Sequence, residues 1–220
     1  MLGLLIGFII LTLLLLICTI ALLWYISGIF QSADLSISSD IPYLKGGATF
    51  YYKTNVGSYS SLGGLFTEAY SIAPGITQCG VYYDDSDKVA AKDCRSAVGV
   101  ILTEDSGNVA EGFDKHGFKK FFIPPIKDAL YGSFPHVSFL SIFIGLWKVL
   151  PLLRKQFSEF ECSEFTYFEV YDDAKIHYIG ILEDNEAFLV PDFADNKDDE
   201  TDQVPNLEVK QVFDGKEKAE

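Results

Sequence analysis

An uninterrupted apolar segment at the N-terminus places the strongest constraint on how this chain can fold. No Asp, Glu, Lys or Arg occurs in residues 1–33, and Leu, Ile, Phe, Ala and Gly make up most of the run from Leu2 to Ile26. About 20 apolar residues suffice to cross the hydrocarbon layer of a bilayer. Trp24 and Tyr25 close the run, as aromatic residues do at the membrane interface. Residues 1–33 are therefore predicted to be a transmembrane anchor.

A cleaved signal peptide is the competing interpretation of this segment. It would require a basic n-region, an apolar core of about 7–15 residues and a cleavage site with small residues. The segment has no basic residue, its apolar core is longer, and Gln31-Ser32-Ala33 is a poor cleavage site. We therefore predict a retained signal-anchor that contacts the membrane through residues 2–26.

The orientation of the anchor follows from three weaker signals. Lys45 and Lys53 are the nearest basic residues after the helix and none precedes it, which favours a cytosolic body by the positive-inside rule. The chain contains no Asn-x-Ser/Thr sequon. Its body holds three cysteines, Cys79, Cys94 and Cys162, an odd number for a disulfide framework. Together these signals predict an N-terminus outside the cytosol and a body within it.

Charge separates the remainder of the chain into a domain and a tail. The formal net charge is −14, so phosphate backbones repel the chain and nucleic-acid binding is not expected. Residues 191–220 hold ten Asp or Glu and four Lys with few large apolar side chains. Such a composition cannot offset the entropy of ordering, which predicts an acidic disordered tail. Residues 34–190 then form the globular domain.

The domain shows two similar runs of elements. Aromatic and β-branched residues predict strands, and apolar residues at helical spacing predict helices. The predicted strands are residues 49–54, 78–83, 95–102, 118–123, 129–134, 167–173 and 175–182, and the predicted helices are residues 58–72 and 135–157. Two β-α-β-β units of this kind predict an α+β fold with helices packed on a curved antiparallel sheet.

The second predicted helix is apolar on nearly all sides, which predicts that it is buried. We accordingly expect Phe143 to lie in the core. Pro135 suits the first turn of this helix, and Pro151 is expected to kink or interrupt it.

Four stretches of the domain resemble the signature segments of GyrI-like domains. They are Asn55-Val56-Gly57-Ser58-Tyr59, Gly64-Leu65-Phe66, Gly80-Val81-Tyr82-Tyr83-Asp84-Asp85 and Cys94-Arg95-Ser96-Ala97-Val98-Gly99. The resemblance implies a duplicated β-α-β-β module of the SOUL and effector-binding type, with a central ligand cleft.

Four features together resemble a family of endoplasmic reticulum membrane proteins. They are the anchor, these motifs, Leu140-Ser141-Ile142 and the acidic tail. Members of this family are single-pass endoplasmic reticulum proteins that act as receptors in selective autophagy of the reticulum. The resemblance implies an endoplasmic reticulum adaptor with a lumenal N-terminus. Implied partners are ubiquitin-like autophagy modifiers and a hexameric unfoldase.

The tail offers little of the short motifs that such partners bind. Autophagy modifiers accept an extended segment with an aromatic residue and an aliphatic residue three positions later. Neither Phe193 nor Phe213 has an aliphatic residue at that spacing. The spacing occurs in the domain at Tyr167/Val170, Tyr178/Ile181, Trp147/Leu150 and Phe139/Ile142, where we expect packing to bury the side chains. Phe213 and Gly215 match a fragment of the unfoldase-binding box and are the partner-binding candidates of the tail.

Catalytic and metal-binding motifs are not found in the sequence. His116, His136 and His177 share no ligand spacing, and no catalytic residue, metal ligand or cofactor is assigned. The residue that stands out is Glu169, a carboxylate within an aromatic strand. In GyrI-like domains a carboxylate at the matching place can face the central cleft, and a solvent-facing side chain is the alternative.

Aromatic side chains are the candidate walls of that cleft. Tyr52, Tyr82 and Phe168 lie in the predicted strands and would join Glu169 in binding a cationic or amphipathic ligand. Three function classes follow. We predict a non-enzymatic membrane adaptor, with a small-molecule binding module as the alternative and a small-molecule hydrolase as a third class.

Overall fold

The N-terminal segment is a single long helix. The computed structural model describes residues 1–102 and 107–194 of the chain. Helix α1 spans Leu2–Ile26, and its 25 residues extend about 37 Å. No residue of α1 is buried, and within the described part of the chain it is the one helix whose length and composition suit a membrane span. This finding fits a membrane-anchored protein.

The domain is built on one antiparallel sheet of eight strands. The strands are β1 (Ser36–Ser38), β2 (Ala48–Val56), β3 (Gln78–Tyr82), β4 (Arg95–Leu102), β5 (Lys119–Ile123), β6 (Ala129–Pro135), β7 (Tyr167–Tyr171) and β8 (Lys175–Ile181). Their order across the sheet is β1-β6-β8-β7-β3-β4-β2-β5, and every neighbouring pair is antiparallel. The predicted α+β class with an antiparallel sheet is confirmed.

The order of elements repeats along the chain. Helix α2 (Gly63–Ile72) lies between β2 and β3, and helix α4 (Phe139–Glu159) lies between β6 and β7. The two runs are therefore β2-α2-β3-β4 and β6-α4-β7-β8, and they meet at the central pair of β3 and β7. Strands β1 and β5 flank them at the two edges, and a further helix, α3 (Gly107–Lys115), follows β4.

Helices α2 and α4 cover one face of the sheet. Helix α4 packs on β6 and β8, and α2 packs on β3 and β4. The aromatic and branched residues of the strands and the inner side of α4 form the core beneath them, which includes Val98, Leu130, Phe134, Ile144, Leu153, Phe157 and Ile176. Alternate residues of each strand point to opposite faces of the sheet, so the sheet separates the core into two layers.

Helix α4 is not buried on all sides, so the expectation for Phe143 is wrong. Its inner face carries Ser141, Ile144, Gly145, Val149, Leu153 and Phe157. On its outer face, Phe143 is 63% exposed, and Phe139 and Trp147 are 67% and 69% exposed. A helix that packs on a sheet has only one side covered. Because the outer side of α4 is also apolar, its composition did not indicate which side would be exposed.

The position of Pro135 also differs from the prediction. Pro135 is the last residue of β6, and α4 starts at Phe139, four residues after the predicted start, with Ser138 as its N-cap. The Ser138 hydroxyl accepts a hydrogen bond from the Leu140 amide, in a capping box with Ser141. Pro151 lies inside α4, which continues past it to Glu159.

The last described segment contains part of the predicted tail. Residues 191–194 form the short helix α5 (Pro191–Ala194), in which Phe193 is buried. The remainder of the predicted tail, residues 195–220, lies outside the described residues. Phe213 and Gly215, the partner-binding candidates, are among them.

Candidate functional site

Glu169 lies at the centre of the sheet, on the face that the helices cover. It is the middle residue of β7, where it pairs with Gly80 of β3 on one side and with Tyr178 of β8 on the other. Cross-strand partners share a face of the sheet. Tyr82 and Tyr171 belong to the same face, because each lies two residues along its strand from a member of this row. The exposed fraction of Glu169 is only 1%.

Two glycines allow close packing around this row. A Cβ atom at Gly80 would lie 3.1 Å from Cζ of Phe66, a residue of α2, and equally close to the Tyr82 ring. A Cβ atom at Gly145 of α4 would lie 2.5 Å from the Tyr178 hydroxyl. Because Gly80 and Gly145 have no side chain, the helices can approach the sheet closely above Glu169.

Tyrosines supply the hydrogen bonds of Glu169. Its Oε2 atom accepts from the hydroxyl of Tyr82 at 3.0 Å and from the hydroxyl of Tyr171. Tyr82 in turn stacks on Tyr167 with ring centroids 4.7 Å apart, and Tyr171 meets Phe66 edge to face at 5.4 Å. The carboxylate is therefore held within an aromatic cage.

Burial dominates the electrostatics of the site. It raises the pKa of Glu169 from 4.5 to about 7, against the hydrogen bonds from Tyr171 and Tyr82, which favour the charged form. No described Lys or Arg forms a salt bridge with this carboxyl group. Burial and the neighbouring carboxylate also raise the pKa values of Tyr82 and Tyr171 well above the ordinary tyrosine value. Glu169 therefore changes charge near neutral pH.

Two polar atoms of the site have no hydrogen-bond partner in the described part of the chain. They are Oε1 of Glu169 and the hydroxyl of Tyr178, and both are buried. Buried polar atoms are nearly always paired with protein groups, water or a ligand. The two residues face each other across the β7–β8 pair, so they could together hold one small polar or cationic group.

A second set of contacts holds the end of α1 against the domain. The hydroxyl of Ser27 donates to the Leu23 carbonyl at 2.6 Å and lies 2.8 Å from the hydroxyl of Ser138. The Lys148 ammonium donates to the carbonyl of Ile29 at 2.7 Å and to that of Gln31. We call residues 27–31 and these partners the anchor junction.

Glycine conformation tightens the anchor junction. Gly28 has a φ of +93°, which favours glycine, and a Cβ atom there would lie 2.8 Å from the Phe134 ring. Ser27 and Gly28 are buried, and Ile29 packs against the core beneath α4. Helix α1 therefore joins the domain through a packed turn.

Comparison with known proteins identifies relatives of the chain. No protein-family model matches it. Over 191 residues it is 33% identical to "Testis-expressed protein 264" of Homo sapiens. The chain resembles testis-expressed protein 264. It is also 35% identical over 170 residues to the "Testis-expressed protein 264 homolog" of Mus musculus. These alignments cover 85% and 76% of the chain, but the chain spans only 60% and 54% of the two relatives.

The similarity to testis-expressed protein 264 confirms the resemblance inferred from the anchor and the motifs. With 191 aligned residues in a chain of 220, it must include most of the domain that carries Glu169. It extends well beyond the apolar segment, so composition alone does not produce it.

Two of the predicted cleft residues lie on the other side of the sheet. Phe168 precedes Glu169 in β7, so it points to the opposite face. Tyr52 pairs with Gly99, which pairs with Cys79, the neighbour of Gly80 in β3. It therefore also lies opposite Glu169. The strand alternation separates these two rings from Glu169 and Tyr82, with which the sequence interpretation grouped them.

A polar cluster on that opposite face was missed in the sequence. Asp172 Oδ2 accepts from Nε2 of His177 at 2.8 Å and from the hydroxyl of Tyr43 at 3.0 Å. The other ring nitrogen of His177 lies 2.8 Å from the hydroxyl of Tyr131. These residues come from the 39–47 segment, β6 and the β7–β8 hairpin, so no local spacing could reveal them.

Hydrogen bonds determine the charge of Asp172. Burial opposes its ionisation, but donors from His177, from the amides of Ala174 and Lys175 and from Tyr43 lower its pKa well below the usual range. All four donors stabilise the turn between β7 and β8. The cluster therefore acts first as a structural brace of this hairpin.

The structure also places the aromatic-x-x-aliphatic pairs of the domain. Tyr167, Val170, Tyr178 and Ile181 are buried in strands, as expected. Trp147 and Phe139 are exposed, which contradicts the expectation of burial, because they occupy the outer face of α4. Recognition by strand addition needs an extended segment, and a helix cannot provide one.

Proposed function

We propose that the chain is a non-enzymatic adaptor of the endoplasmic reticulum membrane, with a lumenal N-terminus and a cytosolic body. By its resemblance to reticulum-autophagy receptors it would act in selective autophagy of the reticulum. The chain spans little more than half of the length of these curated relatives.

The anchor junction is the observation that supports the proposal most directly. An adaptor must present its domain at a defined membrane, and here the helix ends in a turn packed on the domain. The buried Ser27 and the Lys148 contacts fix the domain at the end of α1. All four cysteines are free, as suits a body in a reducing compartment.

A GyrI-like architecture is part of the same proposal. The repeated order β2-α2-β3-β4 and β6-α4-β7-β8, joined at β3 and β7, is the arrangement that a duplicated module would give. Glu169 then occupies the central position between the two halves.

Protease protection tests the orientation. In sealed microsomes, protease should digest residues 34–220 without detergent, and carbonate extraction should leave the chain in the membrane. Protection of the body until detergent is added would place it in the lumen. A mature chain that begins near Asp34 would show that the anchor is removed.

Affinity capture tests the partners. The full chain should capture ubiquitin-like autophagy modifiers, directly or through another protein, or the hexameric unfoldase. The matched control ends at Ala194, the last described residue. The adaptor function would be contradicted if neither chain captured either partner and if reticulum turnover stayed normal in starved cells that lack the protein.

A binding module for a cationic or amphipathic small molecule is the second candidate function. The unpaired Oε1 atom of Glu169 and the unpaired hydroxyl of Tyr178 support it. A bound cation would favour the ionised carboxylate, so affinity should increase as the pH rises through about 7.

Ligand-induced stabilisation would test this second function. The full chain in lipid nanodiscs should unfold at higher temperature in the presence of tetramethylammonium, a small organic cation. Glu169→Gln should abolish the effect and Glu111→Gln, an exposed carboxylate of α3, should not. An equal response of all three chains would show that the cation binds elsewhere.

A further inference from the structure

Three aromatic side chains form an exposed stripe along α4. Phe139, Phe143 and Trp147 follow one another at intervals of four residues, so they share one side of the helix. Each is more than 60% exposed, and the rings of Phe139 and Phe143 are 6.3 Å apart. We call these three residues the aromatic stripe. Contiguous exposed apolar side chains mark a surface that contacts a partner or a membrane.

The aromatic stripe lies beside the end of the membrane helix. Ser138, just before the stripe, contacts Ser27, and Lys148, just after it, contacts the carbonyls of Ile29 and Gln31. Ten helical residues extend about 15 Å. Both ends of this stretch therefore reach one short turn, which places the first three turns of α4 alongside the point where α1 ends.

Further exposed aromatic residues surround that point. Trp24 and Tyr25 end α1 and are 44% and 65% exposed, and Phe30 of the following turn is 81% exposed. The rings of Tyr25 and Phe30 are 6.2 Å apart. Aromatic residues at this level of a membrane protein lie among the lipid headgroups. The aromatic stripe continues this group onto the domain.

The charge of α4 also suits a membrane surface. The chain has 31 acidic residues, yet none lies between Asp128 and Glu159, a stretch that includes the whole stripe. That stretch contains Lys148, Arg154 and Lys155. Arg154 pairs with Asp85 and Asp87, and Lys155 pairs with Glu159, so these two cations are partly neutralised. Residues 139–148, which hold the whole stripe, carry no carboxylate and one cation, Lys148, so this part of α4 offers anionic headgroups no like charge of its own.

From these observations we infer that the aromatic stripe inserts into the headgroup region of the bilayer that α1 spans. The domain then has two membrane contacts, the transmembrane helix and the outer face of α4, and is held with α4 against the lipid. The inference rests on the membrane anchoring proposed above, and it adds a lipid-binding surface to the domain itself.

Tryptophan fluorescence provides a direct test, because the chain has only two tryptophans. In the Trp24→Phe variant, Trp147 is the sole reporter. The full chain is reconstituted in phosphatidylcholine liposomes whose acyl chains are brominated near the headgroup. Trp147 should emit at short wavelength and lose most of its intensity to the bromine atoms.

A matched reporter gives the control. Phe122 is 59% exposed on β5, at the edge of the sheet farthest from β6, which α4 covers. Phe122→Trp in a chain that also carries Trp24→Phe and Trp147→Phe should keep its intensity in the same liposomes. Phe143→Ser added to the Trp147 reporter should reduce the quenching, since it removes a neighbouring apolar contact with lipid.

Flotation of the liposomes separates the inference from the anchoring itself. A chain that does not float with the lipid contradicts both. A chain that floats while Trp147 stays unquenched and emits like a tryptophan in water overturns only the inserted stripe. Short-wavelength emission without quenching would mean that protein, such as a second copy of the chain, covers the stripe, and this too would overturn the inference.

The unmodified chain permits a second measurement if Trp24→Phe impairs insertion. A photoreactive diazirine dissolved in the lipid phase should label peptides of residues 2–26 and of residues 136–148, and should leave the β5 peptide unlabelled. Labelling confined to residues 2–26 would overturn the inserted stripe.

Discussion

Replacement of Glu169 by Gln should change how the stability of the protein depends on pH. The substitution preserves the size of the side chain and removes its charge. Burial raises the pKa of Glu169 in the folded chain from 4.5 to about 7. The folded state therefore binds the proton more tightly than the unfolded state does, and stability is greatest where both states are protonated.

The magnitude follows from the two pKa values. Between pH 4.5 and about 7 the unfolded chain loses this proton while the folded chain keeps it, so the free energy of unfolding decreases as the pH rises. Each pKa unit corresponds to about 1.4 kcal/mol, so the wild-type chain should lose about 3 kcal/mol relative to Glu169→Gln across this range. Above pH 7 the difference should stay constant.

Urea unfolding of the full chain in detergent, followed by far-UV circular dichroism at pH 4.5, 6 and 8, would measure this difference. Glu111→Gln is the matched control, because Glu111 is 75% exposed on α3 and should give a small offset that does not vary with pH. Groups that titrate identically in both chains cancel in the comparison.

A stability difference between wild type and Glu169→Gln that is the same at all three pH values would refute this reasoning. It would mean that Glu169 titrates in the folded chain as it does in water. The carboxylate would then have access to solvent or to a cation, and the aromatic cage would be open.

Three further predictions concern stability alone, each measured by denaturant unfolding of the same chain. Phe143→Ala should lower the free energy of unfolding by less than about 1 kcal/mol because its side chain is exposed, whereas Leu153→Ala should lower it by about 2–5 kcal/mol because Leu153 is buried. Equal losses would contradict the assigned faces of α4. Gly99→Ala should cost more than about 4 kcal/mol, because its Cβ would lie 1.8 Å from the Tyr51 carbonyl oxygen, and a stable variant would contradict this β2–β4 contact. The depressed pKa of Asp172 stabilises the fold above pH 3.8, and this stabilisation is lost as the pH falls below 3.8. Asp172→Asn should therefore lower stability at pH 6 and reduce the loss of stability that the wild-type chain shows in acid. An unchanged loss in acid would contradict the hydrogen bonds to Asp172.

Some features of this protein were determined by local sequence. The 25-residue apolar run makes α1 a helix suited to a membrane whatever the rest of the chain does, because both length and composition are local properties. The strands could be located because aromatic and β-branched residues concentrate in short runs bounded by turn residues. Strand β3 was predicted as residues 78–83 and spans Gln78–Tyr82.

Other features depended on how the helices pack on the sheet. Sequence alternation allowed Glu169 to face either solvent or the interior. The packing of α2 on β3 and β4, with Phe66 against Tyr171 of β7, decided for burial. The apolar residues of α4 surround the helix, so its composition could not tell which side the sheet would cover. Phe143 was expected inside for this reason and lies outside.

Contacts between distant residues were decided by tertiary structure alone. His177 and Tyr131 are 46 positions apart, and Ser27 and Ser138 are 111 apart. Such pairs depend on strand register and on the path of the chain between elements, and each local pattern is compatible with many registers. The sequence therefore specified an apolar helix long enough to cross a membrane and an antiparallel α+β domain. The aromatic cage of Glu169, the anchor junction and the outward face of α4 arose only when the sheet brought distant segments together.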